Sequence, residues 1–285
     1  MPSLLRRCVA AVRIPANELA FAVRAGVAWS RGPATLPHED KSGLFAWLPA
    51  DAAAAAHRRA ARLERQYDLA ALRAQSTNAV YAHNLALLEG LERLADGAVW
   101  PVPPGAPLRA LDVGSGDFHY ATALQRWLAR GDGARRAAAL HGVELDGHGV
   151  YRDGHSRADH ARAHAALAAA AAPVQFTVGD AARLRLPAHD VVTAFHPFLT
   201  VYPLLQWGLP LSRFRPRRLL RALVAAVRPG GWLVVANQTA TEFDRLRALL
   251  AGQPVELLRR VPLGSDLVPA AERTAGRVGS LWRRG

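Results

Sequence analysis

Among 285 residues the chain has a single cysteine, Cys8, a single methionine, Met1, and a single lysine, Lys41. One cysteine excludes an internal disulfide and a thiolate metal cluster, and it agrees with a reducing compartment. The cytoplasm is therefore the expected location. Long apolar runs are missing too, since the Ala-rich stretch 165–172 is too short and too weakly apolar to cross a bilayer. The opening residues MPSLLRRCVAAVRIP set two arginines before an apolar patch, as a secretory signal does, but Arg13 cuts the patch and no cleavage-type segment follows. No membrane partner is expected.

With lysine almost absent, the net charge of +13 comes from arginine. Such an excess suits nucleic acid, an anionic surface or an acidic substrate. The arginines are scattered among alanines in the manner of GC-rich, bacterial-like coding and form no compact stripe, so nucleic acid is not favoured as a partner. A composition of 51% hydrophobic and 21% charged residues is that of a folded globular chain.

Three regions follow from the pattern. Residues 17–29 read as a helix, followed by the loop-like RGPATLPHEDKSGLFAWLP. From Asp51 the chain is rich in helix formers with no Gly or Pro until Gly90, and a break is expected near residues 75–78. Leu63, Tyr67 and Ala70 share one helical face, as do Tyr81, Leu85, Leu88 and Ala95. DGAVWPVPPGAP, residues 96–107, holds four prolines and two glycines and marks a linker. The expected domains are thus 1–107, helical, and 108–285.

From Leu108 the texture alternates. LRALDV, a helix over 121–129, ALHGVEL, a helix over 156–172, VQFTVG, DVVTAF, a helix over 217–227 and WLVVANQ succeed one another. This predicts an α/β domain, a doubly wound and mostly parallel sheet with helices on both faces. Ligands of such sheets lie beyond the carboxyl ends of the strands, where strand order reverses. After the first strand comes GSG, whose glycines let backbone approach a ligand. After the second comes Glu144, placed where a carboxylate accepts ribose hydroxyls, with Asp146 two residues on and on the same face of extended chain. Asp180 follows the third strand and His196-Pro197-Phe198 the fourth.

LDVGSG, GVELD, GDAARL, DVVTAF and RPGGWLVV, in that order, resemble the motifs of class I S-adenosylmethionine-dependent methyltransferases over residues 108–285. The resemblance implies a seven-stranded sheet, S-adenosyl-L-methionine as cofactor and in-line methyl transfer. It implies that Asp112, Gly114 and Gly116 line the methionine part, Glu144 the ribose and Asp180 the adenine amino group. Ser115, Asp117, Phe118, Leu145 and Ala181 complete the implied cofactor set. Two departures stand out: Phe118 occupies the place of a glycine in the first motif, and RGDGARR lengthens the interval to Glu144. Either the turn is shaped differently at Phe118, or Phe118 packs beside the cofactor and touches its pocket.

His196 is the candidate general base, for an acceptor that must lose a proton. Tyr202, Trp207 and Phe214, in the aromatic-rich 198–216, are candidate walls for a small-molecule acceptor or else the packed core of an irregular loop, and Asn237-Gln238 a hydrogen-bonding edge or a helix cap. Tyr81 and Asn84 are placed on a helix that could cover the methionine end as a lid, or else pack as core. His155, His160 and His164 come close together, but no Glu or Cys completes a ligand set at metal spacing, so no metal is expected. Arg152 and Arg157 could meet an acidic acceptor or lie solvated. The competing functions are RNA methylation, a non-catalytic regulatory protein binding the same cofactor, and a nicotinamide-dependent oxidoreductase. The last lacks the third glycine of GxGxxG and a Tyr/Lys pair.

Overall fold

The computed structural model describes residues 2–170, 172–269 and 276–285, with side chains from residue 12 onward. Met1, Ala171 and the side chain of Cys8 therefore lie outside the described residues, and with them part of the opening motif and of the Ala-rich stretch.

Helix α1, Pro2–Val27, is longer than the expected 17–29 and contains Pro15. Helix α2, Ala50–Tyr67, ends at Asp68, a non-glycine residue in the left-handed region at φ 55°. The break near residues 75–78 is present as well, between the short α3, Ala70–Ala74, and α4, Asn78–Ala95. Thr77 caps α4 by accepting a hydrogen bond from Val80 N. Leu63 and Tyr67 are buried on α2, whereas Ala70, beyond the Asp68 turn, is exposed and leaves that face.

Strands β1 (Leu108–Val113), β2 (Ala138–Glu144), β3 (Val174–Val178), β4 (His189–Phe195) and β5 (Val227–Asn237) run parallel. β6 (Val255–Pro262) and β7 (Val278–Arg284) complete a seven-stranded sheet in the order β3-β2-β1-β4-β5-β7-β6, with β7 antiparallel to both neighbours. The order runs outward from β1 in one direction and from β4 in the other. Their carboxyl ends consequently flank a crevice that no crossover covers.

Successive residues of β5 alternate between two cores, as strand geometry requires. Trp232 and Val234 join a cluster with α2, α4 and α5 (Ala121–Arg130), while Leu233 and Val235 face α8 (Pro216–Ala226) and α9 (Ala240–Leu250). The RPGG segment begins β5 and produces a register shift against β4; a Cβ on Gly231 would stand 2.8 Å from Asp190 O. Helix α6, Arg157–Ala168, starts at a Ser156 capping box and is shorter than the expected 156–172.

The Pro-rich segment ties the helical layer to the sheet. Trp100 stands 5.1 Å from Trp127 of α5 and 4.9 Å from Trp232 of β5, ring centre to ring centre. Arg136 lies over its face at 5.0 Å. Replacing Trp100 by Ala removes this three-ring contact and is expected to cost about 3 kcal/mol of stability, read as a shift in urea midpoint with unchanged m-value.

Candidate functional site

A cavity of about 540 Å³ opens at the carboxyl edge of the sheet, at the β1/β4 switch point. The turn after β1 supplies Gly114, Ser115, Gly116 and Asp117 to its wall; the end of β2 supplies Glu144 and the residue following it Leu145; the turn after β3 supplies Asp180 and Ala181. Of the residues expected from the sequence, these eight meet in one place, joined by His196 and Trp207. Gly114 and Gly116 sit at φ 80° and 59°, and a Cβ on either would meet nothing within 4 Å, so their backbone faces open space.

Glu144 is held from two sides. Its carboxylate accepts hydrogen bonds from Gly116 N and Asp146 N, each at 2.9 Å. Both oxygens keep a lone pair for a further donor. Asp146, the alternative acid, is committed elsewhere: Arg24 of α1 grips its carboxylate in a fork at 3.0 and 3.2 Å, and Arg157 stands 3.6 Å away. Asp146 thus fastens α1 to the sheet domain and does not line the cavity. Arg157 is likewise spent on Asp146 and Glu144, while Arg152 is exposed. Asp180 lines the cavity with Arg213 at 3.4 Å.

Four expected residues do not reach the wall. Asp112 is fully buried beneath the turn, accepting hydrogen bonds from Tyr120 Oη and Thr193 Oγ1, and burial pushes its carboxyl up to about 6 against those hydrogen bonds. Phe118 is fully buried in the core and contributes nothing to the lining. Its backbone adopts φ 59°, the conformation that explains why a glycine suits this position. Its ring fills the space above Gly142 of β2, where a Cβ would come within 2.7 Å of the ring, and packs against Tyr120 and Phe176. Tyr202 is half exposed, off the cavity, on the helix α7, Val201–Gln206. Asn237 is fully buried within β5; the neighbouring Gln238 faces the cavity, and Thr239 caps α9.

The cover differs from expectation as well. Tyr81 and Asn84 turn away from the cavity: Tyr81 donates to Glu64, and Asn84 donates to the His119 carbonyl, fixing the start of α5. A different stripe of α4 lines it, namely His83, Ala86, Leu87 and Gly90, spaced i, i+3, i+4, i+7. That spacing was visible in the sequence. The segment after β4 forms another wall through Trp207 and Phe214, and α1 clasps that segment from outside. Asn17 donates to the carbonyls of Leu205 and Leu209, and Glu18 accepts from Ser212 N and Oγ.

Asp117 lines the cavity beside His119. Burial would raise its carboxyl, but the His119 hydrogen bond at 2.7 Å and the charges of His119 and His164 hold it well below the usual range. His196 lines the cavity at φ 58°, and burial, aided by the nearby Arg277 cation, pushes its imidazole down to about 4. It is neutral at pH 7. Outside the cavity, Asp153, His155 and His160 bring one ligand atom each within 4.8 Å of one another, a set that includes Asp153 and leaves out His164.

No family model matches the chain, and no curated protein matches it in sequence. Solved structures resemble it in fold. A Listeria monocytogenes protein described as a class I S-adenosylmethionine-dependent methyltransferase aligns over 72% of this chain at 14% identity and TM-score 0.47. The chain spans 59% of that protein's length. The magnesium protoporphyrin IX methyltransferase of Synechocystis PCC 6803, solved with bound SAM, aligns over 87% of this chain and 99% of its own at 15% identity and TM-score 0.45. The [4+2]-cyclase SpnF aligns over 68% of this chain and 80% of its own at 17% identity and TM-score 0.44. Likeness at this level concerns the fold and assigns no reaction.

Two expectations follow from the site. Gly142→Ala drives a methyl group into the Phe118 ring and should cost about 1–3 kcal/mol in denaturation, an overpacking penalty. For His196 the folded pKa lies below that of the free side chain, so the unfolded chain binds the proton more tightly between pH 4 and 6.5. Its contribution is complete above pH 6.5 and is lost as pH falls toward 4; Asp112, raised to about 6, works in the opposite sense over part of this window. His196→Asn should therefore flatten the acid side of the Tm-against-pH profile relative to the parent, and an unchanged slope would contradict a buried neutral imidazole.

Proposed function

We propose that the chain is an S-adenosylmethionine-dependent methyltransferase acting on a small molecule. The observation that carries this reading is the meeting, in one cavity at the switch point, of a glycine turn with open backbone, a carboxylate at the end of β2 and another after β3. The cavity fits the cofactor: it has bare backbone at Gly114 and Gly116, remaining acceptor capacity on Glu144, and mostly apolar walls.

In this reading Glu144 accepts the ribose hydroxyls, Asp180 with Ala181 faces the adenine edge, and Gly114 to Asp117 hold the methionine portion. Leu145 supplies an apolar contact to the purine side. When bound, S-adenosylmethionine supplies an electrophilic methyl group on a sulfonium. The acceptor would provide the electron pair, with Glu144, Asp180 and the turn from Gly114 to Asp117 holding the donor and sulfur keeping the pair of the broken carbon–sulfur bond. The protein's share is positioning and exclusion of water. Helix α4 closes one side and the α1-clasped segment of Trp207 and Phe214 the other. His196 is uncharged at neutral pH and offers a hydrogen-bond acceptor beside the site, although its depressed basicity makes it a weak general base in the free protein.

A small acceptor rather than RNA is supported by the mostly apolar lining of the cavity, in which Arg157 and Arg213 are engaged by carboxylates of this chain. We assign residues 108–285 as the cofactor-binding unit and 1–107 as its helical cover, working in the cytoplasm.

Calorimetry with S-adenosylmethionine, S-adenosylhomocysteine and NADH tests the reading. Both sulfur nucleotides should bind and NADH should not. Glu144→Ala should weaken them about tenfold or more by removing charge-assisted hydrogen bonds. Absence of binding by either sulfur nucleotide would overturn the proposal.

A further inference from the structure

Arg277 stands just before β7, whose Val278 pairs with Asn237 at the end of β5. The adjoining His196 N donates to Ala236 O of β5 at 2.7 Å, so Arg277 and His196 meet on the same edge of the sheet. Both line the cavity, and each carries a buried nitrogen without a hydrogen-bond partner, Nε of Arg277 and Nδ1 of His196. The same cavity is lined by the apolar Ala86 and Leu87 of α4 and Leu263 and Val268 of the segment between β6 and β7, with Gln238 and Ser265 among its polar residues.

Two other cavity arginines offer a contrast, while Arg215 at the cavity rim is exposed to solvent. Arg157 is answered by Glu144 and Asp146, and Arg213 by Asp180. Arg277 pairs with no carboxylate among the described residues, and burial lowers its pKa with no opposing charge to offset it. A guanidinium taken from water without a counter-charge is costly. Arg277 is half-buried with its Nε closed off, so an arriving anion meets a donor fork already partly stripped of water.

We propose that Arg277 is the anion-binding residue of the acceptor site, selecting acceptors with an apolar body and one carboxylate or phosphate. The assignment rests on the methyltransferase reading for the word acceptor, while the anion preference itself stands on Arg277 and its surroundings. His196, next to the cation, is then a neutral partner along the same edge and not the group that carries the charge.

The test is calorimetry on the full chain, with and without saturating S-adenosylhomocysteine, using matched pairs: indole-3-carboxylate against indole-3-carboxamide, and phenyl phosphate against phenol. In the parent protein at least one anion should bind about tenfold or more tightly than its neutral partner, and the pair that separates identifies carboxylate or phosphate as the group. Arg277→Met should erase that difference while S-adenosylhomocysteine affinity persists. Arg277→Gln, more soluble, must erase it too and serves if the Met variant unfolds. Equal binding within both pairs, or a preference that survives both substitutions, would overturn the proposal. Failure of S-adenosylhomocysteine to bind, with the anion preference intact, would contradict the methyltransferase reading alone.

Discussion

Everything in this chain that bears on function depends on the reversal of strand order between β1 and β4. Where the two halves of the sheet wind apart, the turns after β1, β2 and β4 leave an edge that no helix fills, and polar backbone there has no ladder partner. Charged and conformationally unusual residues gather at that edge: Glu144, Asp117, Gly114, Gly116 and His196. The N-terminal helices do not create the cavity; they close it. One core cluster runs continuously from α2 and α4 through α5 into β1 and β5, so the cover is fixed to the sheet by ordinary apolar packing.

The turn after β1 shows how a departure from a familiar motif is accommodated. Phe118 takes the left-handed conformation that a glycine takes without penalty, at a strain of order 1 kcal/mol or more. Its ring then needs room, and Gly142 in the neighbouring strand supplies it. The bulky ring lies in the core opposite a strand position that carries no side chain. The cavity face of the turn, formed by Gly114 and Gly116, takes no part in this packing.

Much of this was legible in the order of residues. The five parallel strands show as apolar runs of the right length, and Glu144 stands out because it ends one of them. The break at Asp68 was hidden, since only the left-handed backbone of an aspartate ends α2 there and neither Gly nor Pro marks it. The cavity stripe of α4 was present as His83, Ala86, Leu87 and Gly90, yet the adjacent stripe of Tyr81, Leu85 and Leu88 carried the stronger apolar signal and belongs to the core. Arg277 had no local signal at all: the antiparallel return of β7 brings it to His196 from 81 residues away. Phe118 and Gly142 likewise form a pair that only the sheet register joins, Gly142 lying opposite Asp112 and Phe176.

The central claim, a cofactor site built on the β1 turn, Glu144 and Asp180, is tested most directly by a crystal structure of the protein soaked with S-adenosylhomocysteine. The expected result is the ribose hydroxyls on the Glu144 carboxylate, the adenine beside Asp180 and Ala181, and the homocysteine chain over Gly114 and Gly116, with Phe118 unmoved beneath. A nucleotide bound away from Glu144, or none bound at saturating concentration, would contradict it.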